Sequence, residues 1–146
     1  MLLGTWEETI FFDWYGRKCR ATPDVRTSVG VTELKTSSSS DPAKFCWQSA
    51  KMAYHAQCRM QQIACGLDID SPAHIVVVES AAPYPVTVFR LTEEALLAGE
   101  KLLCQWMERL KMCEESKQWP GYVQSIVPLD VPGDVELDFG DSEGGE

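Results

Sequence analysis

Residues 23–36 read PDVRTSVGVTELKT. Val31 to Thr36 alternates around β-branched residues and follows Ser28-Val29-Gly30, so this half reads as a short strand entered from a loop over Val25 to Gly30. Pro23-Asp24 closes the element before the loop. A period of two puts Glu33 and Lys35 on one face of the strand.

Upstream, Thr5 to Trp14 (TWEETIFFDW) is rich in aromatic and β-branched residues and stops at Tyr15-Gly16. It reads as one strand, a tight turn and a second strand from Arg17 to Ala21. Downstream, four serines, Ser37 to Ser40, connect to Asp41-Pro42. Asp as N-cap and Pro at the first helical position open a helix over Ala43 to Cys65, closed by Gly66. Its apolar positions change phase near Ala50 to Ala53, where a break is expected. His74 to Ser80 (HIVVVES) is an uninterrupted β-branched run, read as a strand buried on both faces. Val86 to Leu91 forms the next strand. Thr92-Glu93-Glu94 opens a second long helix, which ends near Ser116 ahead of Trp119-Pro120-Gly121-Tyr122. The order predicts an α/β fold: a mixed five-stranded sheet flanked by two long helices.

The chain has 146 residues, with 13 Lys and Arg against 22 Asp and Glu and a net charge of −9. That length suits one domain able to bury a core. We expect the domain over 1–132 and a disordered acidic tail over 133–146, where glycine and acids replace core periodicity. No apolar run approaches the ~20 residues that span a bilayer. Met1-Leu2-Leu3-Gly4 lacks the regions of a signal peptide. A cytoplasmic protein without a membrane partner is therefore expected. Cys19, Cys46, Cys58, Cys65, Cys104 and Cys113 include no CxxC pair, so they read as small apolar residues rather than a metal or iron–sulfur site. The acidic balance weighs against a nucleic-acid binder, but ten acids lie at or after Glu108, far along the chain from residues 23–36.

Pairing of the strand ending at Ala21 with the strand starting at Val31 would bring Asp24 close to Glu33. Two carboxylates held together repel, and a divalent cation with hard oxygen ligands removes that penalty. The Leu34 carbonyl is placed to be a third ligand. Lys35 would orient or deprotonate an attacking water and offset developing negative charge. A lone ExK on a strand is common. What gives it weight here is Pro23-Asp24 before it and a helix after it with Tyr54 and Gln57 three apart. His55 and His74 read as packing residues, and no cysteine has a paired base that would mark it as a nucleophile. There is no P-loop or GxGxxG sequence.

Pro23-Asp24, Glu33-Leu34-Lys35 and Tyr54-His55-Ala56-Gln57 together resemble the PD-(D/E)xK nuclease superfamily. Within it the chain is most similar to the phage-type recombination exonucleases of the RecE, lambda-exonuclease and YqaJ kind. The similarity is carried by RATPDVRTSVGVTELKTSSSSDPAKF, AYHAQCRMQQ, IVVVESAAPYPVTVFRL, QWPGY and IVPLDVP, roughly Ile10 to Pro132. It implies a restriction-endonuclease-like core and Mg²⁺ or Mn²⁺ held by Asp24, Glu33 and the Leu34 carbonyl. It also implies a catalytic Lys35, Gln57 and Tyr54 beside the active site, and Thr36, Ser37, Ser38 and Ser39 against the DNA backbone. The implied partners are double-stranded DNA ends, a single-strand annealing protein and further copies of the chain. Family members begin with a helical region that adds an acid to the metal site. Here the first strand starts almost at once, with Glu7 and Glu8 the acids within it. Two functions stay open: a metal-dependent DNA exonuclease, and a weakened or inactive nuclease-fold protein that binds DNA or protein.

Overall fold

The computed structural model of the chain describes residues 4–123 and 125–129. Its elements are β1 (Thr5–Trp6), β2 (Ile10–Trp14), β3 (Arg17–Ala21), β4 (Val25–Arg26), β5 (Val31–Ser37), α1 (Pro42–Lys51), α2 (Tyr54–Ala64), β6 (Ala73–Glu79), β7 (Val86–Arg90) and α3 (Glu93–Ser116). Five strands form a mixed sheet in the order β1-β4-β5-β6-β7, with β5 and β6 parallel and every other neighbour antiparallel. The α/β class and the mixed five-stranded sheet are as expected. The 132/133 boundary and the acidic tail lie outside the described residues.

Membership of the sheet differs from the sequence reading. The expected strand over Thr5 to Trp14 is two strands, because the backbone turns at Glu7 (φ 48°). Its second half pairs with β3 as a separate hairpin, from Trp14 opposite Arg17 to Ile10 opposite Ala21. Tyr15 and Gly16 both have positive φ, 54° and 69°, as a two-residue hairpin turn that follows strand twist requires. The place left in the sheet is taken by Val25-Arg26, which the sequence reading assigned to a loop.

One expected helix is likewise two. Ala53 adopts a left-handed conformation (φ 54°) between α1 and α2, at the predicted phase change, so three helices flank the sheet rather than two. Asp41 Oδ1 accepts from Ala43 N at 3.0 Å and Lys44 N at 3.1 Å. Thr92 Oγ1 accepts from Ala95 N at 3.2 Å at the start of α3. Both caps satisfy donors that a helix start leaves open. Among the described residues no helix is long and apolar enough to cross a membrane.

The core lies on the face of the odd-numbered residues of β5 and β6. Val31, Ala73, Ile75 and Val77 meet Phe45 of α1, Cys58 of α2 and Leu96 of α3. Phe45 stacks on Phe89 with ring centroids 4.9 Å apart and on Tyr54 at 6.1 Å. Burial of side chains this size contributes roughly 1.5–3 kcal/mol each. The other face is barer: Leu34, Val86 and Val88 are 55%, 58% and 62% exposed. His74 to Ser80, read as buried on both faces, is therefore buried fully on one.

Close helix packing sets where α2 sits. A Cβ added to Gly99 of α3 would lie 2.6 Å from the His55 carbonyl oxygen, so α3 approaches α2 more closely than alanine permits. Arg59 Nε donates to Glu100 Oε2 at 2.7 Å across the same contact. Arg17 donates from Nη1 to Glu114 Oε1 at 3.0 Å and from Nη2 to Oε2, pinning the hairpin to the end of α3. That guanidinium holds the Glu114 carboxyl below the usual range, and Glu114 in turn raises Arg17.

A candidate active site at Glu33

Backbone geometry on β5 fixes the first two carboxylates. Val31 N donates to Pro72 O on the β6 side at 3.0 Å. Alternation then turns the N–H and C=O of Leu34 the opposite way, towards β4. There Asp24 Oδ2 accepts from Leu34 N at 2.6 Å, replacing the ladder carbonyl that the end of β4 no longer supplies. Beyond Asp24 comes Pro23, fully buried and without an N–H, so it has nothing to donate to the Leu34 carbonyl. Asp24 is thus delivered by the approach to β4, and not by pairing of β3 with β5 as the sequence reading had it.

Glu33 points into the protein and is 4% exposed. Lys35 Nζ lies 2.7 Å from its Oε1 on the same strand face, as the period-two reading required. Gln57 Nε2 also donates to Oε1, and Gln61 Nε2 donates to Oε2 at 2.6 Å. A carboxylate buried this deeply is tolerable because a cation and two amides compensate it. The Tyr54 ring centroid is 4.9 Å from Lys35 Nζ, a cation–π distance, and the ring is itself stacked on Phe45. Lys35 is therefore held between Glu33 and Tyr54.

Gln61 was not singled out by sequence reasoning. The signal was present: it lies one turn beyond Gln57, so both reach the same neighbour. It was masked by Met60, Ile63 and Ala64, whose spacing alone explains a buried face. Gln61 is 3% exposed, and its Oε1 is the one buried side-chain polar atom among the described residues without a hydrogen-bond partner. Cys58 follows Gln57 directly on α2, and burial pushes its thiol up to about 12. The Glu33 and Asp24 charges act in the same direction and Lys35 opposes them.

The predicted DNA-contacting residues separate. Thr36 and Ser38 are exposed and Ser39 is half-buried. Ser37 is buried, and its hydroxyl donates to Gln48 Oε1 at 2.7 Å. It anchors the loop to α1 and has no surface to offer a phosphate. Of the two N-terminal acids, Glu8 lies 3.3 Å from Arg26, while the Glu7 amide donates to Asp24 O at 3.1 Å.

Asp24 Oδ2 and the Leu34 carbonyl lie on the β4 side of β5, and Glu33 adjoins Leu34 along the strand; carboxylate and carbonyl oxygens are the hard donor type that Mg²⁺ or Mn²⁺ takes. Among the described residues no three His, Cys, Asp or Glu side chains converge. The fit is therefore to two carboxylates and a carbonyl rather than to a triad of acids.

No protein-family model and no curated protein matches the chain. A crystal structure from Eubacterium rectale, named "Putative exonuclease", is similar to it with a TM-score of 0.56 at 12% identity. The likeness covers 88% of this chain and 56% of that one, so the chain spans little more than half the length of the protein it resembles. At that identity the likeness is one of fold: the chain has a nuclease-like fold.

Proposed function

We propose that the Glu33 cluster is the active site of a Mg²⁺- or Mn²⁺-dependent DNA exonuclease. It would trim double-stranded DNA ends in the manner of the phage-type recombination exonucleases. The observation that carries this reading is the convergence of Lys35 and Gln57 on the Glu33 carboxylate, with Asp24 bonded to the backbone between Glu33 and Lys35.

Asp24, Glu33 and the Leu34 carbonyl would hold the cation. When bound, it supplies Lewis acidity and a more acidic water. Lys35 places a positive charge where negative charge develops on phosphate, and Tyr54 restricts its swing. Gln57 orients Glu33 and offers an amide to the attacking water. The exposed hydroxyls of Thr36 and Ser38 are available to backbone phosphates. A homo-oligomer working in the cytoplasm with a single-strand annealing protein belongs to the same reading.

The test is cleavage of end-labelled linear duplex DNA in Mg²⁺ or Mn²⁺. In folded Lys35→Ala the rate should fall by roughly 100-fold or more, with Mn²⁺ binding retained because Lys35 is not a ligand, and with lower stability because buried Glu33 loses its cation. Asp24→Ala should lose both cleavage and Mn²⁺ binding. A Lys35→Ala rate within a few-fold of the parent would falsify the assignment. The second reading is a nuclease-fold DNA- or protein-binding module. It is favoured by the saturation of both Glu33 oxygens by Lys35, Gln57 and Gln61, and by the lack of a third acid among the described residues. DNA retained in a gel shift without cleavage in either metal would select it.

A further inference from the structure

A cavity of about 340 Å³ opens beside the Glu33 cluster, between the end of the hairpin, the corner at Ala53 and the middle of α3. Its walls include Gln57 and Gln61, the two amides that hold Glu33. A group in the slot therefore sits one side chain away from the reactive carboxylate. Met52, Leu103 and Trp106 supply apolar surface, and Trp106 is 49% exposed. Arg20, also in the lining, is exposed and forms no ion pair among the described residues.

Each of these features asks for a different part of one ligand. An apolar slot with an aromatic ring at its wall suits a flat ring. A buried carbonyl without a donor, Gln61 Oε1, asks for an N–H. An unpaired guanidinium on an acidic protein suits a phosphate. A flat ring, an N–H on the base and a phosphate occur together in a nucleotide.

We infer that the slot takes the base of a nucleotide in the strand being cut, next to the scissile phosphodiester. The base stacks on Trp106, donates to Gln61 Oε1 and leaves its phosphate to Arg20. This assignment rests on the phosphodiester reading above and adds the subsite that positions the strand.

The experiment compares a short single-stranded deoxyoligonucleotide with the same oligonucleotide made abasic, using the full chain and Mg²⁺. The Trp106 indole N–H resonance is identified by its absence in Trp106→Phe. The intact oligonucleotide should shift that resonance and leave the indole of Trp47, on α1, unmoved. The abasic one should bind roughly tenfold or more weakly, the scale of one base–aromatic stack. Arg20→Gln, at an exposed position, should lower affinity and flatten the salt dependence by about 0.7 in log–log slope, the single-strand value for one phosphate. Equal affinity of the two oligonucleotides with a silent Trp106, in a protein that still cleaves DNA, overturns the slot and leaves the nuclease reading standing. In a protein that cleaves nothing, deoxynucleoside monophosphates decide the slot alone: a Trp106 shift sustains it, and silence overturns it.

Discussion

Replacing Gln61 with leucine sets two opposed effects against each other. The substitution deletes the bond from Nε2 to Glu33 Oε2, which is 2.6 Å long and donated to a charged group. Such bonds contribute about 1.5–3 kcal/mol. It also deletes Oε1, a buried acceptor without a partner, whose desolvation costs about 1–3 kcal/mol. Leucine is close in volume and fills the same site. The variant removes one orphaned acceptor but creates another, the buried and charged Glu33 Oε2, so the two desolvation costs offset and the lost bond remains as a net loss of about 1.5–3 kcal/mol. Catalysis has no such compensation. Glu33 keeps Lys35 and Gln57 on Oε1 but loses the partner of its second oxygen, and a misplacement of order 1 Å costs about 100-fold. Urea unfolding followed by circular dichroism gives the first quantity, and duplex cleavage in Mn²⁺ gives the second. A folded variant weakened by that amount, with a depressed rate, is the expected pair. A stability loss above about 3 kcal/mol would mean that Oε1 is satisfied in the native protein. An unchanged rate in a folded variant would remove Gln61 from the site.

Two further predictions concern the scaffold. Gly99→Ala places a methyl group 2.6 Å from the His55 carbonyl. The overpacking of about 1–3 kcal/mol outweighs the ~1 kcal/mol gain in helix propensity. Lower thermal stability and slower cleavage are expected, since α2 carries both glutamines, and a more stable variant would refute the close packing. For Cys58, the folded thiol titrates near 12 against a reference of 9.0. Above pH 9 the unfolded chain releases a proton that the folded one keeps, so stability present below pH 9 declines as pH rises towards 12. Cys58→Ala should flatten this alkaline decline. In the parent at neutral pH, iodoacetamide should modify the exposed Cys46 well before Cys58; equal rates would contradict the burial.

The parts of the site governed by local periodicity were legible. Glu33 and Lys35 share a face because strands repeat every two residues. Gln57 and Tyr54 reach the same region because helices repeat every 3.6. Long-range pairing was not legible. Ile10 to Trp14 has strong strand character, but nothing local says whether it joins the main sheet or folds onto Arg17 to Ala21. The choice is made by the positive-φ turn at Tyr15-Gly16 and by the Arg17–Glu114 pair, formed across 97 residues. Val25-Arg26 is too short to show a pattern and is a strand only because β1 and β5 lie on either side. Ser37 failed as a contact residue for a related reason. Its neighbours read as an exposed serine run, whereas β5 extends through it and turns it inward to Gln48.

The parallel pairing of β5 with β6 also sets an order of events during synthesis. Asp24, Glu33, Lys35, Tyr54, Gln57 and Gln61 all precede Ala73, where β6 begins. Asp24 meets Leu34 through a local antiparallel turn, which closes early. The seat of α2 over Glu33, however, is built on Ile75 and Val77 of β6 and on Leu96 of α3. A growing chain halted before residue 73 would carry every residue of the candidate site and still lack the site, so the cluster around Glu33 is assembled only after the sheet has closed behind it.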